Sequence, residues 1–151
     1  AQNLCGLTDG APPSVDLKAE RRNGEFLRAL IAKGHVSIAH DLSDGGLAVA
    51  LVEMALAGNI GAKLTQLPEG YSHATLFGED QGRYLIAVAP EIVKTILDAA
   101  RLEKINIQEI GATGGSEISW PGEKPISLTE LQEAFEKPLP AYMAGDDRAF
   151  A

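Results

Sequence analysis

The residues of this chain best suited to chemistry stand together in the run His40-Asp41-Leu42-Ser43-Asp44-Gly45-Gly46-Leu47. An apolar approach (Val36, Ile38, Ala39) precedes it and an apolar helical pattern follows, so the run reads as a strand-to-helix junction. Two adjacent glycines strip side chains from the first helical turn. A ligand can then meet backbone N–H groups directly, where the helix dipole already favours negative charge. Ser43 and Asp44 suit N-capping of that helix, and Asp41 stands where the strand ends. An Asp-Gly-Gly alone is as well explained by a tight turn with a good cap. What sets this one apart is a carboxylate, a hydroxyl and a second carboxylate just ahead of a bare helix start. Asp41 and Asp44 lie three residues apart and could hold Mg2+, which takes one or two carboxylates beside phosphate oxygens and water. They serve equally as turn former and cap, and no third carboxylate lies nearby in sequence. A branched side chain at Gly46 is expected to block a ligand while sparing stability, since Val costs no more helix propensity than Gly.

A second polar loop, Gly78-Glu79-Asp80-Gln81-Gly82, precedes the apolar run Arg83-Tyr84-Leu85-Ile86-Ala87-Val88-Ala89. Glu79 and Gln81 there would stand at a sheet edge and could face a cleft, although the loop alone is equally an ordinary solvated turn. His40 adjoins the first motif but falls at a strand end, where a partly buried structural histidine is expected rather than a general base. His35 and His73 are given no role. Cys5 is the only cysteine, which excludes an internal disulfide, fits a reducing compartment and offers a poor nucleophile. No zinc-ligand spacing occurs. Gly111-Ala112-Thr113-Gly114-Gly115 lacks the Gly-Lys-Ser/Thr ending of a phosphate loop and reads as a strand-to-strand turn.

These groups need elements to position them. A helix is predicted over 16–33, capped by Ser14 or Asp16, with Leu17, Leu27, Leu30 and Ile31 inward and Gly34 at its end. A strand over 36–40 feeds the glycine turn and a helix over 47–57 leaves it. That helix is apolar nearly all round, the pattern of an element buried on several sides, so the turn gains a rigid mount. Further strands are predicted over 61–67, 83–89, 107–112, 117–120 and 124–126, with a loop over 68–74. The 83–89 run reads as a central strand covered on both faces. Helices follow over 90–102 and from a Ser127 or Thr129 cap to about residue 137, before a partly helical tail. Residues 1–14, rich in Gly, Pro and small polar groups, read as an arm or linker, and 15–151 as the domain. Adjacent strands without room for crossover helices favour an α/β (α+β-like) fold, a mixed sheet covered by helices.

With 151 residues, 45% of them hydrophobic, the chain can build one core. A net charge of −8 argues against nucleic-acid and anionic-membrane partners, which call for basic patches. No apolar stretch reaches the roughly 20 residues of a membrane span, and the start does not resemble a signal peptide. The chain opens on Ala1, so it is expected to be a piece of something longer.

Read as a unit, residues 40–54 (HDLSDGGLAVALVEM) resemble the signature of the C-terminal domain in the phosphoribosylformylglycinamidine synthase family, within the aminoimidazole-ribotide-synthetase superfamily. Residues 76–85 (LFGEDQGRYL) resemble that family's second marker, and the likeness extends through Ile110-Gly111-Ala112-Thr113 and Ile126-Ser127-Leu128-Thr129 over roughly residues 13–143. The resemblance implies a cytoplasmic, ATP- and Mg2+-dependent C–N ligase of de novo purine biosynthesis. Such an enzyme phosphorylates the formamide oxygen of formylglycinamide ribonucleotide and displaces it with glutamine-derived ammonia. It implies that Asp41, Ser43, Asp44, Gly45, Gly46, Glu79 and Gln81 are substrate-binding and that the catalytic histidine lies in an N-terminal half absent here. ATP and Mg2+ belong to the whole enzyme, with neither held tightly by this part, which alone is expected to be inactive. The implied partners are N-terminal domains of the same polypeptide, a separate glutaminase subunit and a small bridging subunit. The isolated chain is expected to form a homodimer through apolar surface those partners would cover. Alternatives are a domain of aminoimidazole ribotide synthetase, thiamine-monophosphate kinase, selenophosphate synthetase or a hydrogenase-maturation protein, or a noncatalytic interaction module.

Overall fold

A computed structural model describes residues 15–68 and 72–145. The arm expected over 1–14, Cys5, and the last residues of the tail fall outside the described residues. In chain order the elements are α1 (Leu17–Ala32), β1 (Ile38–Asp41), α2 (Gly46–Gly58), β2 (Ala62–Leu64), α3 (Ser72–Phe77) and β3 (Tyr84–Ala87). There follow α4 (Pro90–Leu102), β4 (Gly111–Thr113), β5 (Glu117–Ser119), β6 (Ile126–Ser127), α5 (Leu128–Glu136) and α6 (Pro138–Met143).

Local chemistry accounts for the helix boundaries. The Asp16 carboxylate accepts the N–H groups of Lys18 and Ala19, each at 3.0 Å, and so starts α1. Pro90 opens α4, where its missing N–H removes nothing the helix needs. Ser127 and Glu130 form a reciprocal capping box at the head of α5. The donors from Ser127 hold the Glu130 carboxyl below its ordinary range.

The strands form two sheets. One is an antiparallel ribbon of β1 and β3, with His40 opposite Leu85 and Asp41 opposite Tyr84. The other is mixed, in the order β4-β2-β5-β6, with β2 parallel to β5 and the remaining pairs antiparallel. Helix α2 links the two. Its Leu51 and Ala55 pack with Ala62, Leu64, Ile118 and Leu128 over the mixed sheet, while its Leu47 and Ala50 pack with Leu42. Leu85 and Ile110 touch both groups. On the ribbon's other face, Phe26 and Leu30 of α1 meet Ile96 and Ala100 of α4 around Val36 and Ile86. A fully buried Leu or Ile contributes about 1.5–3 kcal/mol. The glycine turn is therefore seated on the helix that buries the most residues among the described helices.

The mixed, helix-covered class is what the sequence predicts, with local differences. Leu17 and Ile31, expected inward on α1, are 71% and 48% exposed, because the helix turns its Phe26–Leu30 stripe to the core. The strand expected over 107–112 forms only at Gly111–Thr113. Of the loop expected over 68–74, Ser72 to Ala74 belong to α3. The 83–89 run was expected as a central strand, yet β3 pairs only with β1 among the described residues. Its apolar pattern reports cover on both faces, by α2 through Leu85 and by α1 and α4 through Ile86, and says nothing about the number of strand neighbours. The expected side-chain cap at Ser43 or Asp44 is also absent, because the N-cap of α2 is Gly45 itself.

Candidate functional site

The two polar loops singled out in the sequence meet. Gly45 N–H donates to Glu79 Oε1 at 3.0 Å, joining the start of α2 to the loop between α3 and β3 across 34 residues of chain. A carboxylate there is favoured by the positive end of the helix dipole. Four further contacts fasten the same loop and its exit. Arg83 reaches Gly78 O at 3.4 Å and the Asp80 carboxylate at 3.2 Å. Asn23 of α1 donates to Gly82 O at 3.0 Å, and Leu42 N–H donates to Arg83 O at 3.0 Å.

The glycine pair works differently from the expected open cradle. Gly45 has φ +78° and Gly46 φ +65°, backbone conformations that L side chains rarely adopt. A Cβ built on Gly46 would lie 2.7 Å from Gly78 O, 2.9 Å from Phe77 C and 3.0 Å from Leu76 O. Gly46 is buried, and its N–H donates to Ser43 O at 3.0 Å. The side-chain-free face of Gly46 is thus filled by the backbone at the end of α3. On Gly45 a Cβ would run into Val49 Cγ2. The expectation that a side chain at Gly46 would spare stability is corrected by these distances.

Around this junction Asp41, Ser43, Asp44 and Gln81 are exposed. Ser43, Asp44 and Gln81 use no side-chain atom in a hydrogen bond among the described residues. Asp41 lies 3.8 Å from His40 Nδ1. His40 is half-buried, with Nδ1 2.6 Å from Asp41 O and Nε2 3.1 Å from Glu53 Oε2, so it ties β1 to α2 as a structural histidine should. The two loops carry four carboxylates, Asp41, Asp44, Glu79 and Asp80, against one adjoining arginine, Arg83, which pairs with Asp80. A phosphate ligand therefore gains by arriving with a cation. No group of three or more His, Cys, Asp or Glu able to hold a metal ion occurs among the described residues. Asp41 and Asp44 alone are two carboxylates, the number Mg2+ uses only where phosphate oxygens and water complete its shell.

Sequence reasoning missed Arg83, Asn23 and Glu53, which hold the junction, the first two half-buried and Glu53 from the surface through His40. Glu53 carried a legible signal, being the only charged residue of α2. Two surface grooves lie elsewhere: about 590 Å³ beside Val93, Leu97 and Arg101, and about 330 Å³ between Leu56, Leu128 and Gln132. No helix among the described residues is long and apolar enough to cross a membrane.

Residues 3–119 match the family model described as AIR synthase related protein, C-terminal domain. The chain is 47% identical over 145 residues to the phosphoribosylformylglycinamidine synthase subunit PurL of Nitrobacter hamburgensis, and 48% identical over 143 residues to that of Methylocella silvestris. Each alignment takes in 95% of this chain and 20% of the relative, so the chain spans about a fifth of the length of those curated relatives. Among solved structures, Thermotoga maritima PurL complexed with ATP shares the fold at a TM-score of 0.69 and 22% identity, over 82% of this chain and 23% of that one. The same protein complexed with FGAR gives 0.68 over 82% and 23%. The PurLQS structure from that organism gives 0.66 at 20% identity, over 86% and 23%.

Proposed function

Because this chain belongs to the family of the AIR synthase related protein, C-terminal domain, we propose that it serves as the C-terminal domain of a phosphoribosylformylglycinamidine synthase. The reaction is the ATP-dependent conversion of formylglycinamide ribonucleotide to its amidine. ATP transfers a phosphoryl group to the formamide oxygen, releasing ADP. Glutamine-derived ammonia then attacks the activated carbon and inorganic phosphate leaves. The observation that carries this reading is the 47% identity over 95% of the chain, a span that takes in both polar loops.

In this division of labour the chain walls a substrate cleft and supplies no general base. Asp41, Ser43, Asp44 and Gln81 form the polar rim that meets the ribonucleotide, mounted on the junction of Gly45, Gly46 and Glu79. Asp41 and Asp44 are the carboxylates that would hold Mg2+ beside phosphate oxygens, where the ion offsets phosphate charge. The complexes of Thermotoga maritima PurL with ATP and FGAR support the ligand classes, and the PurLQS structure from that organism supports assembly with other subunits. We take those to be a glutaminase and a small bridging subunit, in the cytoplasm, with N-terminal domains of the same polypeptide. Without them the chain is inactive and pairs with a second copy.

The test is steady-state kinetics of the complete enzyme carrying Asp44→Asn or Gln81→Ala. Loss of a substrate-facing hydrogen bond should raise KM for formylglycinamide ribonucleotide about tenfold. Wild-type KM in both variants would remove the rim from the substrate site.

A further inference from the structure

The two acid-amide positions of the second loop, Glu79 and Gln81, are two residues apart, and sequence alone does not separate their roles. The geometry does. Resting on the site reading above, we propose that Glu79 is a positioning residue: its carboxylate clasps the 78–82 loop to the start of α2, while Gln81 carries the loop's outward contact. The Glu79 carboxylate is committed to Gly45 N–H at 3.0 Å, the only side-chain hydrogen bond that links that loop to α2 among the described residues. Gln81, exposed, makes no side-chain hydrogen bond among the described residues. Beside the clasp, the backbone of Phe77 and Gly78 lies against Gly46 too closely for a Cβ. Backbone contact sets how near the two loops come, and the clasp fixes the 78–82 loop, and with it the exposed Gln81, relative to the glycine turn. Arg83 and Asn23 fasten the loop's other points to β3 and α1, so without Glu79 the loop keeps its anchorage but loses its tie to the glycine turn.

The clasp needs an acceptor and not a charge, because Gly45 contributes a neutral N–H. Glu79→Gln keeps an oxygen at the same reach and Glu79→Ala removes it. In the chain itself, amide hydrogen exchange read by NMR should be about tenfold faster at Gly45 in Glu79→Ala and within about threefold of wild type in Glu79→Gln. In the complete enzyme, Glu79→Ala should raise KM for formylglycinamide ribonucleotide about tenfold, with kcat little changed, and Glu79→Gln should restore it. Unchanged Gly45 exchange in Glu79→Ala overturns the clasp. A KM raised equally by both variants overturns the positioning role, because the charge itself would then meet the ligand. If Gln81→Ala raises KM and Glu79→Ala does not, the positioning role fails while the site reading stands. If neither variant, nor Asp44→Asn, moves KM, the site reading fails as well.

Discussion

Replacing Gly46 by alanine should cost stability, by an amount the structure lets one estimate in two parts. The first is conformational: at φ +65° an L residue costs about 1–2 kcal/mol. The second is steric, since the new Cβ would sit 2.7–3.0 Å from three backbone atoms of Leu76, Phe77 and Gly78, none of which can rotate away. Overpacking of that kind costs about 1–3 kcal/mol. The sum is about 2–5 kcal/mol, and in a domain of this size each kcal/mol moves Tm by about 2–4 °C. A fall of about 10 °C is expected, with a larger one for valine. Gly34→Ala provides the control, because φ is +71° there but nothing lies within 4 Å of the added carbon. It should lose only the conformational part, about 2–8 °C. The measurement is thermal melting of the chain by circular dichroism for wild type and both variants. If Gly46→Ala melts no lower than Gly34→Ala, the close approach of α2 to the end of α3 is not what requires the glycine, and the reasoning fails.

Two further outcomes can be checked on the same material. The Glu130 carboxyl, held below its ordinary 4.5 by Ser127, stabilises the fold fully above its unfolded value and loses that contribution as pH falls through the folded one. Urea midpoints between pH 5.5 and 3 should therefore fall more steeply in wild type than in Ser127→Ala, and parallel curves would count against the capping box. In light scattering, the chain should show a concentration-dependent dimer, driven by Phe135, Leu139, Tyr142 and Met143, which stand exposed on α5 and α6. A strict monomer near millimolar concentration would remove that pairing.

What the sequence made legible was whatever depends on neighbours close in the chain. The α1 cap at Asp16, the proline start of α4 and the Ser127 box follow from residue type within one helical turn, and the structure has all three. The cover on both faces of the 83–89 run was legible for the same reason, since an apolar run reports burial directly. Strand neighbours were not, because pairing partners such as His40 and Leu85 are remote in sequence and leave no mark in composition. The candidate site shows the same division more sharply. Both loops could be found by residue type, but their union rests on a hydrogen bond spanning 34 residues. The Gly45-Gly46 pair is the hardest case. A bare backbone that admits a ligand and a bare backbone that admits another backbone are written with the same letters. Here the second use is visible for Gly46: its open face is taken by Phe77 and Gly78, and its amide by Ser43. The chemistry offered outward accordingly shifts from the glycines to the side chains around them, Asp41, Ser43, Asp44 and Gln81. Those are the positions at which substitution separates a structural turn from a working rim.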